Sequence, residues 1–578
     1  MTVSEHWLDY SLILEKSFLL LLRVLNITAQ VTILGVIVGI IVSLLSITFV
    51  YGVREISDYR EAYQSCVFQV YNFCFSVAPL VFLFFTGLII ILVKKTSHIS
   101  RYHGPADVIL SAHSEREDLE TKTGFLSTFA AFISASGGAS VGQYGPLVHL
   151  GGTIGNIINK FTPGLLTKDT FIGCGVAAAI SAGFNSPIGG IIFAHEAILR
   201  HFSFKAIAPI AVSSVVSSTL TAYFFPSGIL FQNTNSEIAL LPSVSLSLIL
   251  GPFCAFGAVI FMKSLLFLQA KATSISESEL LRIFIAVIAC GILGGFFPEI
   301  LGLGGKTILG VLENSFSLSF LFTILILKLF VTVICLSLGF FGGVFSPALV
   351  LGALIGGIFS FFGNYFGFNL LGDSLILAGM AALSASVIGA PIASIVIIFE
   401  LTHSYDLAFV AIICVAASCL VSTLTFGHSF FDKQLINRNF KITSGRSEIL
   451  LSEIPISSLL GKNEYLKVDQ FISKRDLLDQ FKEADFTEAY LVDKDNGLIG
   501  KVKVNSILNN EDTVKVFEPL KILDSSTVSE AIQKASNFVG ESIPVVNNKN
   551  TLLGVISEAD LFSSYLSVQS TISKIEKD

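Results

Sequence analysis

Charge is scarce in this sequence: only 14% of its 578 residues are Asp, Glu, Lys or Arg, against roughly 25% in ordinary soluble domains. That deficit excludes a chain that is water-soluble along most of its length. A bilayer-crossing helix needs about 20 mainly apolar residues, and charge-free runs at 24–53, 66–93, 331–371, 375–399 and 407–426 predict several of them. Acidic residues outnumber basic ones by 43 to 36, a balance too mild to name a partner. The residues through Lys16 lack a basic leader and a small-residue cleavage site, so no removable signal peptide is expected. Metal-ligand spacing is missing among Cys66, Cys74, Cys174, Cys254, Cys290, Cys335, Cys414 and Cys419, which all lie in or beside apolar segments. They are expected to be buried free thiols. Also missing are a phosphate-binding P-loop, a nucleophile elbow and a cluster of metal ligands, and no basic aromatic patch suggests nucleic acid. The sequence therefore predicts no enzyme, no metal site and no nucleic-acid partner.

What is present is a repeat within the apolar region. Shifted by 201 positions, Gly142, Pro146, Leu150, Gly151, Ile154 and Gly155 fall on Gly343, Pro347, Leu351, Gly352, Ile355 and Gly356. Shifted by 204, Gly175, Ala177, Ala178, Pro187, Ile188, Ile191 and Glu196 fall on Gly379, Ala381, Ala382, Pro391, Ile392, Ile395 and Glu400. Duplicated halves are common in membrane transporters, whose sites lie where Gly- or Pro-interrupted helices stop inside the bilayer. The segments Gly142-Gln143-Tyr144-Gly145-Pro146 and Gly342-Gly343-Val344-Phe345-Ser346-Pro347 each read as a loop opening a helix. Two helix N-termini facing each other would hold an anion on backbone N–H groups without Lys or Arg. The bland alternative is that these glycines only let helices pack closely.

Charges return after Phe431, and from about Ile449 the chain reads as a soluble α/β unit, itself repeated. With a shift of 54, Val492, Asp493 and Gly500 fall on Val546, Asn547 and Gly554. Each copy reads as strand, turn, strand, with helices expected over 474–483 and 528–537. This resembles a pair of CBS domains. The resemblance implies an adenine-nucleotide site at Ser557 and Asp560, whereas Lys503 and Ser506 stand at the matching places of the first copy. One nucleotide per chain is the most it supports, and the alternative is a structural pair that binds nothing.

Together these segments resemble the CLC family of chloride channels and chloride/proton exchangers over roughly residues 30–440. The resemblance implies an all-α polytopic membrane domain of two inverted-repeat halves with broken helices (residues 1–440, halves about 70–230 and 245–440). A cytoplasmic CBS pair over 441–578 would follow. It further implies a lipid-embedded homodimer with one pathway per subunit for chloride or a similar small anion. It implies no required cofactor, with an adenine nucleotide at the CBS pair as the one it would accommodate. Gly342 to Pro347 fits the family's Gly-Gly-x-Phe-x-Pro completely.

Elsewhere the chain departs from the pattern. The family's Gly-Ser-Gly-Ile-Pro appears as Tyr102-His103-Gly104-Pro105-Ala106, placing His103 where a serine hydroxyl touches the central anion. Tyr144 stands at the gating glutamate of Gly-Arg-Glu-Gly-Pro, and Ala197 at the inner proton glutamate. Phe431 replaces the tyrosine that closes the site from inside. The resemblance thus places the anion pathway at His103, Gly104, Gln143, Tyr144, Gly145, Pro146, Gly342, Gly343, Val344, Phe345, Ser346, Pro347 and Phe431. The amides of Val344, Phe345, Ser346, Tyr144 and Gly145 are its main ligands. A phenol of pKa about 10 cannot shuttle protons near neutrality as a carboxylate does, so a passive, proton-uncoupled channel is the leading expectation. An exchanger with another proton route, through His103, His195 or Glu196, is the second. A membrane sensor with a vestigial pore is the third. Glu196 and Glu400 are expected to serve structure or an interface.

Overall fold

The computed structural model describes residues 3–577 apart from 64–67, 71–72, 98, 100, 115–116, 226–238, 369–372, 439, 441–445, 462, 485 and 509–514. The chain forms two units, residues 1–437 and 438–578. In the first, helices follow one another in an order that occurs twice. The first series is α1 (Val3–Ala62), α2 (Ala78–Ser97), α3 (Pro105–His113), α4 (Thr121–Ser136), α5 (Tyr144–Phe161), α6 (Lys168–Phe184), α7 (Pro187–Phe193) and α8 (Phe204–Phe224). The second is α9 (Leu240–Ile275), α10 (Glu279–Phe296), α11 (Gly305–Leu312), α12 (Leu318–Leu338), α13 (Phe345–Tyr365), α14 (Ser374–Ile388), α15 (Pro391–Thr402) and α16 (Tyr405–Thr425), after which α17 (Phe430–Ile436) ends the unit. Among the described residues, eight helices are long and apolar enough to cross a membrane. Phe85, Phe253, Ile326 and Leu424 project from them exposed, as lipid contact requires and water would penalise.

Three of the charge-free runs are not single helices. Residues 375–399 break at Gly389, whose φ of 77° only glycine adopts readily, into helices of 15 and 12 residues. Residues 331–371 break between Gly339 and Val344, and residues 66–93 contain a small antiparallel hairpin, β1 (Phe68–Val70) with β2 (Phe73–Phe75), ahead of α2. Hydropathy registers burial in an apolar medium and is blind to such breaks. The repeated glycines mark where helices nearly touch. A Cβ on Gly151 would lie 2.2 Å from the Gly175 carbonyl oxygen, and one on Gly352 would lie 2.3 Å from that of Gly379.

The expectation of free thiols needs one correction. Cys174, Cys254, Cys290, Cys335, Cys414 and Cys419 are free, but Cys74, exposed in β2, is disulfide-bonded. Cys66 lies outside the described residues. Cys74 belongs to a hairpin and not to the helix its apolar neighbours suggest.

The second unit consists of two α/β copies. In the first, β3 (Leu466–Asp469) runs parallel to β4 (Glu488–Val492), which pairs antiparallel with β5 (Leu498–Lys503). In the second, β6 (Ile522–Leu523), β7 (Ile543–Val546) and β8 (Leu552–Ile556) repeat that arrangement. Even the register slip recurs, at Leu491/Val492 and Val545/Val546. The two hairpin tips hold each other reciprocally: Leu498 N donates to Asn550 O at 2.9 Å and Leu552 N to Asn496 O at 2.9 Å. The expected helix over 474–483 is present as Lys474–Glu483, and that over 528–537 ends earlier, as Val528–Ala535. A final helix covers Glu558–Lys577.

Candidate anion-binding site

The starts of α5 and α13 meet. Gly142 N donates to Gly343 O at 2.8 Å and Gly343 N to Gly142 O at 2.7 Å, an antiparallel bridge, so the chain enters the two helices from opposite directions. No larger residue fits: a Cβ on Gly343 would lie 2.9 Å from Gly145 N, and one on Gly142 2.7 Å from Gly343 O. The first-turn amides of a helix have no partner within it. At α5 these are Tyr144 and Gly145; at α13, Phe345 and Ser346. Proline follows at the third helical position of each, Pro146 and Pro347, where its missing N–H costs nothing. Val344 and Gln143 are the capping residues, and the Gln143 amide is taken by Ser346 Oγ at 3.3 Å. The buried junction thus presents dipole ends and amide donors without a formal charge.

Tyr144 is buried here, 5% exposed. Its ring stacks on Phe184 with centroids 3.7 Å apart and planes at 12°, and lies 5.3 Å from the Phe345 ring. Gly183 gives it room, since a Cβ there would sit 2.9 Å from the tyrosine ring. Sequence reasoning gives Phe184 no role at the site, because only folding carries its ring onto Tyr144.

His103 and Gly104 lead into α3. The His103 amide donates to Ser127 Oγ at 3.1 Å, and its ring faces Asp107, with Nδ1 to Oδ1 at 3.7 Å, and His149, with centroids 6.0 Å apart. Asp107 in turn accepts a fork from Arg101 at 2.6 and 3.1 Å and the Gly104 amide at 3.0 Å. Ligand-type atoms of His103, Asp107 and His149 lie within 4.8 Å of one another, yet Arg101 already supplies the cation that Asp107 binds. We assign no metal there. Phe431 is buried in the first turn of α17, which packs on α3 and α14.

The proton-route candidates are placed differently. Glu196 lies on the π-helical turn Ala194–Leu199 that continues α7. Its carboxylate accepts the amides of Ile392 at 3.0 Å and Ala393 at 2.7 Å, the first turn of α15. Glu400, on α15, does the same for α7, accepting Ile188 at 3.0 Å, Gly189 at 2.8 Å and the Ser186 hydroxyl. Each half thus caps a helix of the other, and the two carboxylates are committed to N–H groups that would otherwise be orphaned. His195 is buried, its Nδ1 donating to the His201 carbonyl at 3.0 Å. Ala197 is buried and has nothing to titrate.

In the second unit, Ser557 and Asp560 bond to each other. Ser557 N and Oγ donate to Asp560 Oδ2 at 2.8 and 2.7 Å, and Asp560 N donates to Ser557 Oγ at 3.2 Å, a capping box for the last helix. Asn463 also donates to Asp560.

The family model described as "Voltage gated chloride channel" matches residues 82–423, and the CBS domain model matches residues 516–567. Among solved structures, one titled as a slow cyanobacterial Cl-/H+ antiporter is 18% identical, with a TM-score of 0.63 over 72% of this chain and 99% of that one. A CLC-type fluoride/proton antiporter is 20% identical, with a TM-score of 0.59 over 70% and 97%. A eukaryotic CLC transporter is 17% identical, with a TM-score of 0.61 over 93% and 98%. These three share the fold, and the family match, which spans more than half of the sequence, assigns the chain: it belongs to the voltage-gated chloride channel family.

Proposed function

We propose that this family member conducts chloride or a similar small anion passively, without coupled proton transport, through the junction of α5 and α13. The observation that carries the reading is Tyr144: the position that resembles the family's gating glutamate holds a buried phenol stacked on Phe184. Ala197, at the inner glutamate's position, supports it. Unpaired first-turn amides bind an anion weakly enough to release it, as conduction requires. The assembly we propose is a homodimer with one pathway per subunit and the C-terminal unit in the cytoplasm, binding at most one adenine nucleotide at Ser557 and Asp560.

An exchanger is the second reading. Two of the similar structures are titled as proton antiporters, and His103 lies against Asp107 and His149 close to the site. Flux from liposomes reconstituted with the purified protein separates these readings. Chloride efflux with no proton movement is expected. Uphill proton pumping driven by a chloride gradient would replace the channel with an exchanger, and absence of any anion flux would favour a sensor with a vestigial pore.

A further inference from the structure

Tyr102 lies directly before His103. Its ring stands edge-on to Phe341, with centroids 6.3 Å apart and planes at 89°. Its Oη is enclosed and has no hydrogen-bond partner among the described residues. Buried hydroxyls ordinarily have one, so this O–H calls for an acceptor that the described residues do not supply.

The position of that oxygen identifies the acceptor. A Cβ built on Gly145 would fall 2.6 Å from Tyr102 Oη and 3.0 Å from the Gly343 Cα, and one built on Gly104 would fall 2.9 Å from the same Oη. The hydroxyl therefore sits where the starts of α3, α5 and α13 converge. Helix starts bring N–H donors and the positive ends of dipoles. A phenol among them has donors on several sides, and an anion is the ligand that accepts from all of them at once.

We propose that Tyr102 donates its phenolic O–H to the anion held at the junction of α5 and α13. The proposal rests on the anion-transport reading above. Hydrogen bonds to a charged acceptor are short and directional, so Tyr102 should favour compact, strongly accepting anions such as chloride over thiocyanate.

The test is calorimetric binding of chloride and of thiocyanate to the purified full-length protein, wild type against Tyr102→Phe, with chloride efflux from liposomes alongside. Loss of one hydrogen bond to a charged group predicts an approximately tenfold rise in the chloride Kd and a rise of less than about threefold for thiocyanate. An unchanged chloride Kd, or equal shifts for both anions, overturns the proposal while leaving anion transport standing. A wild-type protein that neither binds nor moves chloride overturns both. If Tyr102→Phe is not monodisperse, 2,3-difluorotyrosine at position 102 serves instead, having nearly the same shape and a more acidic O–H. Tighter chloride binding is then expected, and unchanged or weaker binding refutes the assignment.

Discussion

At α13 the chain runs through Gly342, Gly343 and Val344 into a first turn of Phe345, Ser346 and Pro347; at α5 it runs through Val141, Gly142 and Gln143 into Tyr144, Gly145 and Pro146. The backbones match, with a bridging glycine before each helix and a proline at its third residue, and they are locked by two mutual hydrogen bonds. The side chains diverge. A ring stands at the first helical position of both, but only α5 carries a hydroxyl on it. Amide donors depend on the path of the backbone, which the two starts share, whereas what obstructs or attracts an ion beside them is set by side chains, which differ between the two.

The largest effect is expected where the shared backbone is broken. In Gly343→Val a Cβ would sit 2.9 Å from Gly145 N and 3.0 Å from its Cα, and backbone cannot yield as a flexible side-chain tip does. Overpacking of this kind costs about 1–3 kcal/mol, and it falls on the amides themselves. Anion flux per folded protein should drop by about tenfold or more, using the conversion of roughly 1.4 kcal/mol per decade. Liposome efflux normalised to monodisperse protein measures it, and near-normal flux in a folded variant would remove the anion site from this junction.

Next comes the side chain in which the two starts differ. Tyr144→Ala deletes a ring stacked on Phe184 and near Phe345; large aromatic-to-alanine changes in cores cost about 3–5 kcal/mol, so the melting temperature should fall while flux is preserved or rises. Tyr144→Glu sharpens the contrast. Above its pKa the introduced carboxylate is negative and competes with the anion, so flux should fall as pH rises. Proton coupling should not appear, because Ala197 still lacks a carboxylate. A pH-independent flux in Tyr144→Glu would place residue 144 off the pathway.

Much of this architecture is legible in the sequence, for reasons specific to each part. Helix starts at Tyr144 and Phe345 are readable because Gly and Pro act locally, and the matched glycines are readable because close helix approach tolerates no side chain. Glu196 and Glu400 were visible as equivalent positions, but not that each reaches into the other half, since a one-dimensional pattern has no direction across the molecule. Tyr102 and Phe184 were missed for the same reason: their partners, Gly145 and Tyr144, are 43 and 40 positions away, as the numbering shows. Gly389 shows the limit of hydropathy, because a left-handed residue inside an apolar run leaves mean hydropathy unchanged and cuts the helix. The disulfide at Cys74 was concealed likewise by its apolar neighbours.

The reciprocal caps offer a smaller effect and a second comparison of the halves. Charge-assisted hydrogen bonds contribute about 1.5–3 kcal/mol, and a glutamine retains one acceptor oxygen, so Glu196→Gln and Glu400→Gln should each lower thermal stability by a part of that. Glu400 also accepts from the Ser186 hydroxyl, so its variant should be the less stable of the two. Flux per folded protein should be kept in both. If Glu196→Gln left the melting temperature untouched but changed proton movement in liposomes, the capping role would be wrong and Glu196 would belong to a proton route.

The smallest effect compares the two copies of the soluble unit. Ser557 and Asp560 form a reciprocal cap on the last helix, whereas at the matching place in the first copy Ser506 Oγ donates to the Lys503 carbonyl at 2.6 Å and no carboxylate is present. A ribose bound at Ser557 and Asp560 would have to share oxygens that the cap already uses. Nucleotide affinity should therefore be modest, and no second site is expected at Lys503. Ser557→Ala should remove about 1 kcal/mol of stability through loss of the cap, and weaken any nucleotide binding in parallel. Calorimetry of ATP, ADP and AMP on the full-length protein reads both the stoichiometry and the affinity. Two nucleotides per chain would contradict the difference between the copies, and no binding at millimolar nucleotide would leave Ser557 and Asp560 with the helix cap as their sole role.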